Sequence, residues 1–235
     1  MMQAVYVPAV RTPMSFAEAE SCARWILKCE LGHEPSGEVL ALFLAKTALE
    51  TGRWTQIWND NWGNVKASTS YEGMFTCITL NELLGGKLIW FSPEGQLTTA
   101  PSRGGVLVGA PLPVPDGHPQ TRMRALANHW DGVDTYAEFV RTHYRGAWSR
   151  LLAGDAIGYV HALKLAYYFT ADEGPYARGV VAMQREFLTR LRAEAPPPAV
   201  DLEWHRLVET VAGCQFDLAD LIETPIGNDF LEKTA

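Results

Sequence analysis

The stretch from Val39 to Leu49, VLALFLAKTAL, is a nearly unbroken apolar run that ends directly on an acid, Glu50. A helix that is apolar all round cannot lie on a surface, so the rest of the chain must wrap it. Pro35-Ser36-Gly37-Glu38 gives the start signal and Gly52 the stop, which predicts a central helix over about 38–51. The composition then changes at once to Gly, Trp and Asn, through TGRWTQIWNDNWGNVKA to Ala67. A fold built on this chain has to bury that helix and leave an acid at its exit, facing an aromatic and amide-rich loop.

The rest of the composition supports a full core and excludes several classes of function. With 235 residues, 47% of them hydrophobic, the chain can form one sizeable domain or one domain plus an appendage. A net charge of −7 argues against a nucleic-acid partner held through phosphates and against docking on an anionic membrane. The four cysteines and six histidines form no CxxC pair, no HExxH and no cluster with metal-ligand spacing, so neither metal nor cofactor is expected. Cys22, Cys29, Cys77 and Cys214 read as reduced thiols, with Cys77–Cys214 the one conceivable pairing. No GxSxG elbow and no Gly-rich strand-to-helix loop is present, which leaves serine-hydrolase and nucleotide-binding readings without support. The first residues show no basic region followed by an apolar core. The expectation is a chain made in a cytoplasm without a secretory signal.

Periodicity sets the organisation. Residues 1–14 read as extended, because Pro8 and Pro13 oppose a helix. Ser15-Phe16-Ala17-Glu18 has capping-box form and predicts a helix to about Glu30, ended by Gly32. Alternation from Met74 to Leu80, a turn at Leu84-Gly85-Gly86-Lys87 and the run Leu88–Phe91 predict a hairpin. Residues 93–119 are Gly- and Pro-rich and read as a long loop or a ragged extra hairpin. Helical periodicity returns over 134–144, 155–165 and 173–195, and Pro196-Pro197-Pro198 stops the last of these. The expected layout is an extended segment 1–14, a domain over 15–195 and a C-terminal helical tail over 196–235. The expected class is α+β, mainly α, with a small β-hairpin lobe.

Glycoside cleavage needs a carboxylic acid kept protonated to serve the leaving oxygen, and help on the other face of the sugar. An apolar surround favours the protonated form of a carboxyl. Glu50, after Leu49 and before Trp54 and Trp58, has the surroundings for that role, although a solvated glutamate at a helix end is an equal reading of composition alone.

Several segments resemble, in order, the bacterial N-acetylglucosaminidases of glycoside hydrolase family 73. Ala48-Leu49-Glu50-Thr51-Gly52-Arg53-Trp54 resembles the family's A-L-E-S/T-G-W segment. Asn59 to Ala67 resembles its N-N-x-F-G-x-K-A loop, with one extra residue. Thr79-Leu80-Asn81-Glu82-Leu83 before Gly85-Gly86-Lys87 resembles its hairpin. Arg124-Ala125, Asp131 and Tyr136-Ala137-Glu138-Phe139-Val140 resemble its next conserved stretch. Tyr168-Phe169-Thr170-Ala171-Asp172 before Pro175-Tyr176-Ala177 resembles its Y-A-T-D-P-x-Y-A, with insertions. The matches span about residues 15–192; the 93–119 insertion and the tail after Pro198 depart from the family pattern.

The resemblance implies a lysozyme-like fold with Glu50 as general acid. It implies Glu82 on the hairpin as second acid, with Glu72 and Glu94 as rivals. Tyr168 would face the acid and place the substrate's acetamido group or a water. Asn61, Trp62 and Asn64, with Trp54, would form the sugar-binding floor, and Lys66 a salt bridge nearby. The implied substrate is the glycan strand of peptidoglycan, cut at the β-1,4 bond next to N-acetylglucosamine. Muramidase or lytic transglycosylase action on the same fold is the alternative within the class. A non-catalytic virion or wall-binding component is the alternative outside it. Delivery without a signal would suit a phage, as a virion-attached hydrolase or an endolysin, with tail or other particle proteins as partners.

Overall fold

The computed structural model describes residues 4–84, 87–92, 95–97, 119–169 and 171–193. The expected tail over 196–235, Glu94, Cys214 and most of the 93–119 insertion lie outside them. The described chain runs through strand β1 (Val5–Tyr6), helices α1 (Phe16–Leu31) and α2 (Gly37–Glu50), and strands β2 (Met74–Cys77), β3 (Leu80–Leu84), β4 (Lys87–Ser92) and β5 (Gly95–Leu97). A 3-10 turn at Pro119–Thr121 leads into β6 (Arg122–Arg124), followed by α3 (His129–His143), α4 (Arg145–Leu152), α5 (Ala156–Leu165) and α6 (Glu173–Ala193). This is a mainly helical α+β architecture.

The helices begin and end where local chemistry favours it. At the start of α1 the Ser15 hydroxyl accepts from the Glu18 N–H at 3.2 Å, and the Glu18 carboxylate accepts from the Ser15 N–H at 2.7 Å. Gly32, with φ +72°, closes the same helix in the left-handed conformation that glycine adopts without penalty. Ser36 caps α2 by accepting from the Val39 N–H at 3.3 Å. From Val39 to Ala48 every residue of α2 is buried, as its apolar run requires. It is wrapped by α1, α4 and α6. The core around it includes Leu27, Tyr136, Tyr159 and Phe187.

The β region differs from the single hairpin expected. Two three-stranded sheets form, ordered β1-β2-β6 and β3-β4-β5. In the first, β1 runs parallel to β2, with Tyr6 opposite Phe75, and β6 runs antiparallel to it, with Cys77 opposite Arg122. The run Met74–Leu80 therefore divides. β6 begins at Arg122, and beyond Cys77 the described residues continue the ladder only through one bond from the Ile78 N–H to the Thr121 carbonyl at 3.1 Å. The chain then leaves for the second sheet, where Glu82 pairs with Ile89 across the hairpin. The N-terminal segment is tied in rather than loose. Val5 and Val7 donate to Gly73 and Phe75, and Thr12 and Met14 donate to Ile57 and Trp54.

α3 packs closest to the loop that follows α2. A Cβ at Gly132 would lie 1.9 Å from the Asp60 carbonyl oxygen and 2.9 Å from the Trp62 ring. Neither backbone can retreat cheaply, so Gly132→Ala is expected to cost about 3 kcal/mol of stability, read as a lowered midpoint in urea unfolding.

Candidate active site

The chain leaves α2 through a left-handed turn. Gly52, Arg53 and Trp54 have φ of 55°, 57° and 61°. Two non-glycine residues in that region are uncommon and need support from their surroundings. Trp54 has it: its indole N–H donates to the Thr47 hydroxyl at 3.1 Å, and its ring stacks on Phe187 with centroids 5.4 Å apart. The turn anchors Trp54 beneath the helices and leaves Glu50 at the open end of α2. Asn64, also left-handed at φ 51°, reaches back and donates from Nδ2 to the Glu50 carbonyl at 3.1 Å.

Glu50 lies in a cleft of about 720 Å³. Tyr144, Tyr168, Phe169 and Tyr176 contribute aromatic surface to it. Trp58, Asn64, Lys66, Ile78, Leu80 and Met123 contribute from the loop and the sheets. Among the described residues that line it, Glu50 alone is a carboxylic acid. Its Oε1 accepts from the Tyr176 hydroxyl at 2.8 Å and from the Nζ of Lys46, one turn earlier on α2. Lys46 is completely enclosed, whereas the Glu50 side chain keeps 24% of its surface open. The Lys46 ammonium also lies 3.4 Å from the Tyr168 hydroxyl and 4.4 Å from the centre of that ring. The Tyr176 ring centre lies 5.6 Å away, so two aromatic faces and one carboxylate replace its water.

This corrects the electrostatic expectation for Glu50. Burial does push its carboxyl up, as an apolar surround should. The adjacent Lys46 ammonium, its hydrogen bond and that of Tyr176 together outweigh burial and hold the carboxyl below the usual glutamate range. Lys46 is itself pushed down by burial, with Glu50 opposing. Burial, reinforced by the charge of Glu50, raises the hydroxyls of Tyr168 and Tyr176 far above their ordinary value, so both stay protonated donors.

Of the residues expected to bind sugar, Asn64 faces the cleft and three others do not. Trp62 is fully buried in the core beside Tyr136 and Val133, and Trp54 is 3% exposed under α1 and α6. Neither ring can stack on a pyranose. Asn61, 2% exposed, is a loop brace. Its Nδ2 donates to the Val65 and Arg124 carbonyls at 2.9 and 3.0 Å, and its Oδ1 accepts from the Val65 N–H at 2.8 Å. An amide-rich segment had two possible uses, and here the backbone takes it. Asn61→Ala is therefore expected to lower stability by about 2–3 kcal/mol, because buried backbone groups lose their partners. Thermal melting checks this, and activity per folded molecule should stay close to wild type.

Tyr168 lines the cleft beside Glu50, and Lys66 donates to the Gln120 side-chain oxygen. Glu72 is exposed in the irregular stretch before β2 and is not among the residues lining the cleft. Glu82 has its backbone in β3, two residues after the cleft-lining Leu80. Sequence reasoning missed Lys46 and Tyr176. The first was a charge inside a run read as apolar. The second lay within a matched segment but was given no role.

No family model matches the chain, and no curated protein matches it. Among solved structures it is similar to a peptidoglycan hydrolase mutant from Sphingomonas sp. A1, with a TM-score of 0.49 and 18% identity over 75% of this chain and 99% of that one. It is also similar to a C-terminally truncated glycoside hydrolase domain of Salmonella typhimurium FlgJ, with a TM-score of 0.42 and 22% identity over 77% of this chain and 97% of that one.

Proposed function

We propose that this chain is a lysozyme-like peptidoglycan hydrolase that cleaves the β-1,4 bond next to N-acetylglucosamine, with Glu50 as the proton donor. The observation that supports this most directly is the setting of Glu50. It is the one carboxylic acid among the described residues of a large aromatic-lined cleft. Two donors fix its Oε1, and its Oε2 has no hydrogen bond among the described residues. A sugar ring needs apolar faces for its C–H surfaces and a few polar groups for its hydroxyls, and this cleft offers both.

In this reading the substrate's glycosidic oxygen approaches the unbonded carboxyl oxygen of Glu50. Proton transfer to that oxygen accompanies breaking of its bond to C1, and the positive charge that develops on the ring needs a partner. The described residues supply no second carboxylate in the cleft. The help comes either from the acetamido group of the substrate, placed by the Tyr168 hydroxyl, or from Glu82 on the hairpin. Among the acidic candidates the resemblance favours Glu82. Glu82→Gln is expected to lose at least about tenfold in the rate of wall cleavage, within the range of a positioned acid or base. Glu72→Gln should remain close to wild type. Equal losses would remove Glu82 from the mechanism.

Product analysis tests the bond. Mass spectrometry of digested wall should show N-acetylglucosamine at the reducing ends. Reducing N-acetylmuramic acid would indicate a muramidase, and an anhydro end a transglycosylase.

A further inference from the structure

We propose that Lys46 is a positioning residue for the acid: its buried ammonium clamps Oε1 of Glu50, leaves Oε2 to the substrate, and sets the pH window in which the enzyme cleaves. The inference rests on the reading of Glu50 as proton donor.

The geometry is unusual for a lysine. Lys46 sits within the most buried part of α2, with its side chain entirely enclosed. An ammonium there is costly to desolvate, and a hydrophobic residue would fill the same volume without that cost. Its Nζ is spaced one helical turn from Glu50, so helix geometry points both side chains to one place. The Tyr176 hydroxyl reaches the same carboxyl oxygen from α6. Two donors from two helices thus converge on one oxygen, which fixes the rotation of the carboxyl group.

Among the described residues, the other titratable groups facing the pair are tyrosine hydroxyls. They are Tyr136 on α3, Tyr159 on α5, Tyr168 after α5 and Tyr176 on α6; burial raises all four, and Glu50 adds to the rise. They remain neutral across the working range and cannot set a pH limb there. Lys66, elsewhere in the cleft lining, is engaged with Gln120. The charge that tunes Glu50 is therefore that of Lys46, which favours the carboxylate over the carboxylic acid. A proton donor must hold its proton, so activity falls as pH rises through the Glu50 titration. Lys46 moves that alkaline limb to lower pH.

The test compares pH profiles of wall cleavage for wild type, Lys46→Met and Lys46→Arg. Methionine keeps the volume and removes the charge. Its alkaline limb should move upward by about one pH unit or more, with the change in kcat rather than KM. Arginine, which keeps the charge, should return the limb toward wild type. A folded Lys46→Met enzyme with an unmoved limb overturns the proposal. A second readout needs no activity: the carboxyl 13C resonance of Glu50, assigned with Glu50→Gln, followed against pH. It should titrate below the ordinary glutamate range in wild type, and titration at or above that range overturns the proposal. Wall clearing by Glu50→Gln equal to wild type would sink the reading of Glu50 as proton donor while leaving the measured coupling of Lys46 to Glu50 in place.

Discussion

Glu50→Gln should abolish clearing of purified cell wall, with a rate loss of about 10²–10⁴-fold, the range for removing a positioned general acid. Glutamine keeps the shape and one carbonyl acceptor for Lys46 and Tyr176, but it has no proton to give to a leaving oxygen. The loss should therefore fall on kcat, with wall binding retained in a pull-down. Zymography of the purified variant beside wild type measures it. A Glu50→Gln protein that clears wall as well as wild type would remove Glu50 from the catalytic role, whereas a wild-type protein that binds wall without clearing it would favour a binding component. Wild-type activity should also be highest on the acid side. The reason is the low-lying carboxyl: Lys46 and Tyr176 hold Glu50 below the usual glutamate range against the opposing effect of burial, so the donor form fades as pH rises.

Much of this arrangement is legible before any coordinates. The capping box at Ser15 and Glu18, the all-round apolar helix and its acid, and the hairpin Leu84–Lys87 all follow from spacing and turn chemistry. These are local signals, and local rules govern them. The start of α3 was also readable. Asn128 accepts from the N–H groups of Trp130 and Asp131, an ordinary N-cap, so α3 starts before the apolar periodicity that begins at Asp134. The two-sheet arrangement was not readable, because it depends on β1 and β6 reaching β2 from 69 and 47 residues away in register, Val5 with Met74 and Met123 with Thr76, and no local propensity specifies pairings at such range.

 The sugar floor was misread for a related reason. Trp54, Asn61 and Trp62 have side chains equally suited to a ligand or to a core, and only the left-handed turn after α2 decides which way they face. Lys46 was hidden because a charge in an apolar run is conspicuous only when its partner, one turn away at the cleft, is recognised as the same site.

The Lys46–Glu50 pair should also leave a signature in stability, with opposite pH trends for its two halves. Glu50→Gln leaves the enclosed ammonium without its carboxylate, and a buried charge stripped of its partner costs about 3–5 kcal/mol. Lys46 then loses what opposed its burial and is pushed further down. Between that lowered value and the ordinary lysine value the unfolded chain binds more protons than the folded one, so the stability of this variant relative to wild type recovers as pH rises above neutral. Lys46→Met does the reverse. Without the ammonium, burial dominates and raises the Glu50 carboxyl. The folded state now holds a proton that the unfolded chain has released, so the deficit grows as pH rises through the window above the ordinary glutamate value. Its size at neutral pH should be smaller, because Glu50 is partly open to water and methionine fills the space. The double variant Lys46→Met with Glu50→Gln, which buries no charge at this place, should be more stable at neutral pH than Glu50→Gln alone, by about 2 kcal/mol. Urea unfolding of the four proteins between pH 5 and 9 measures each of these differences. Parallel pH trends in the two single variants, or a double variant no more stable than Glu50→Gln, would mean that the two side chains do not act as a coupled pair.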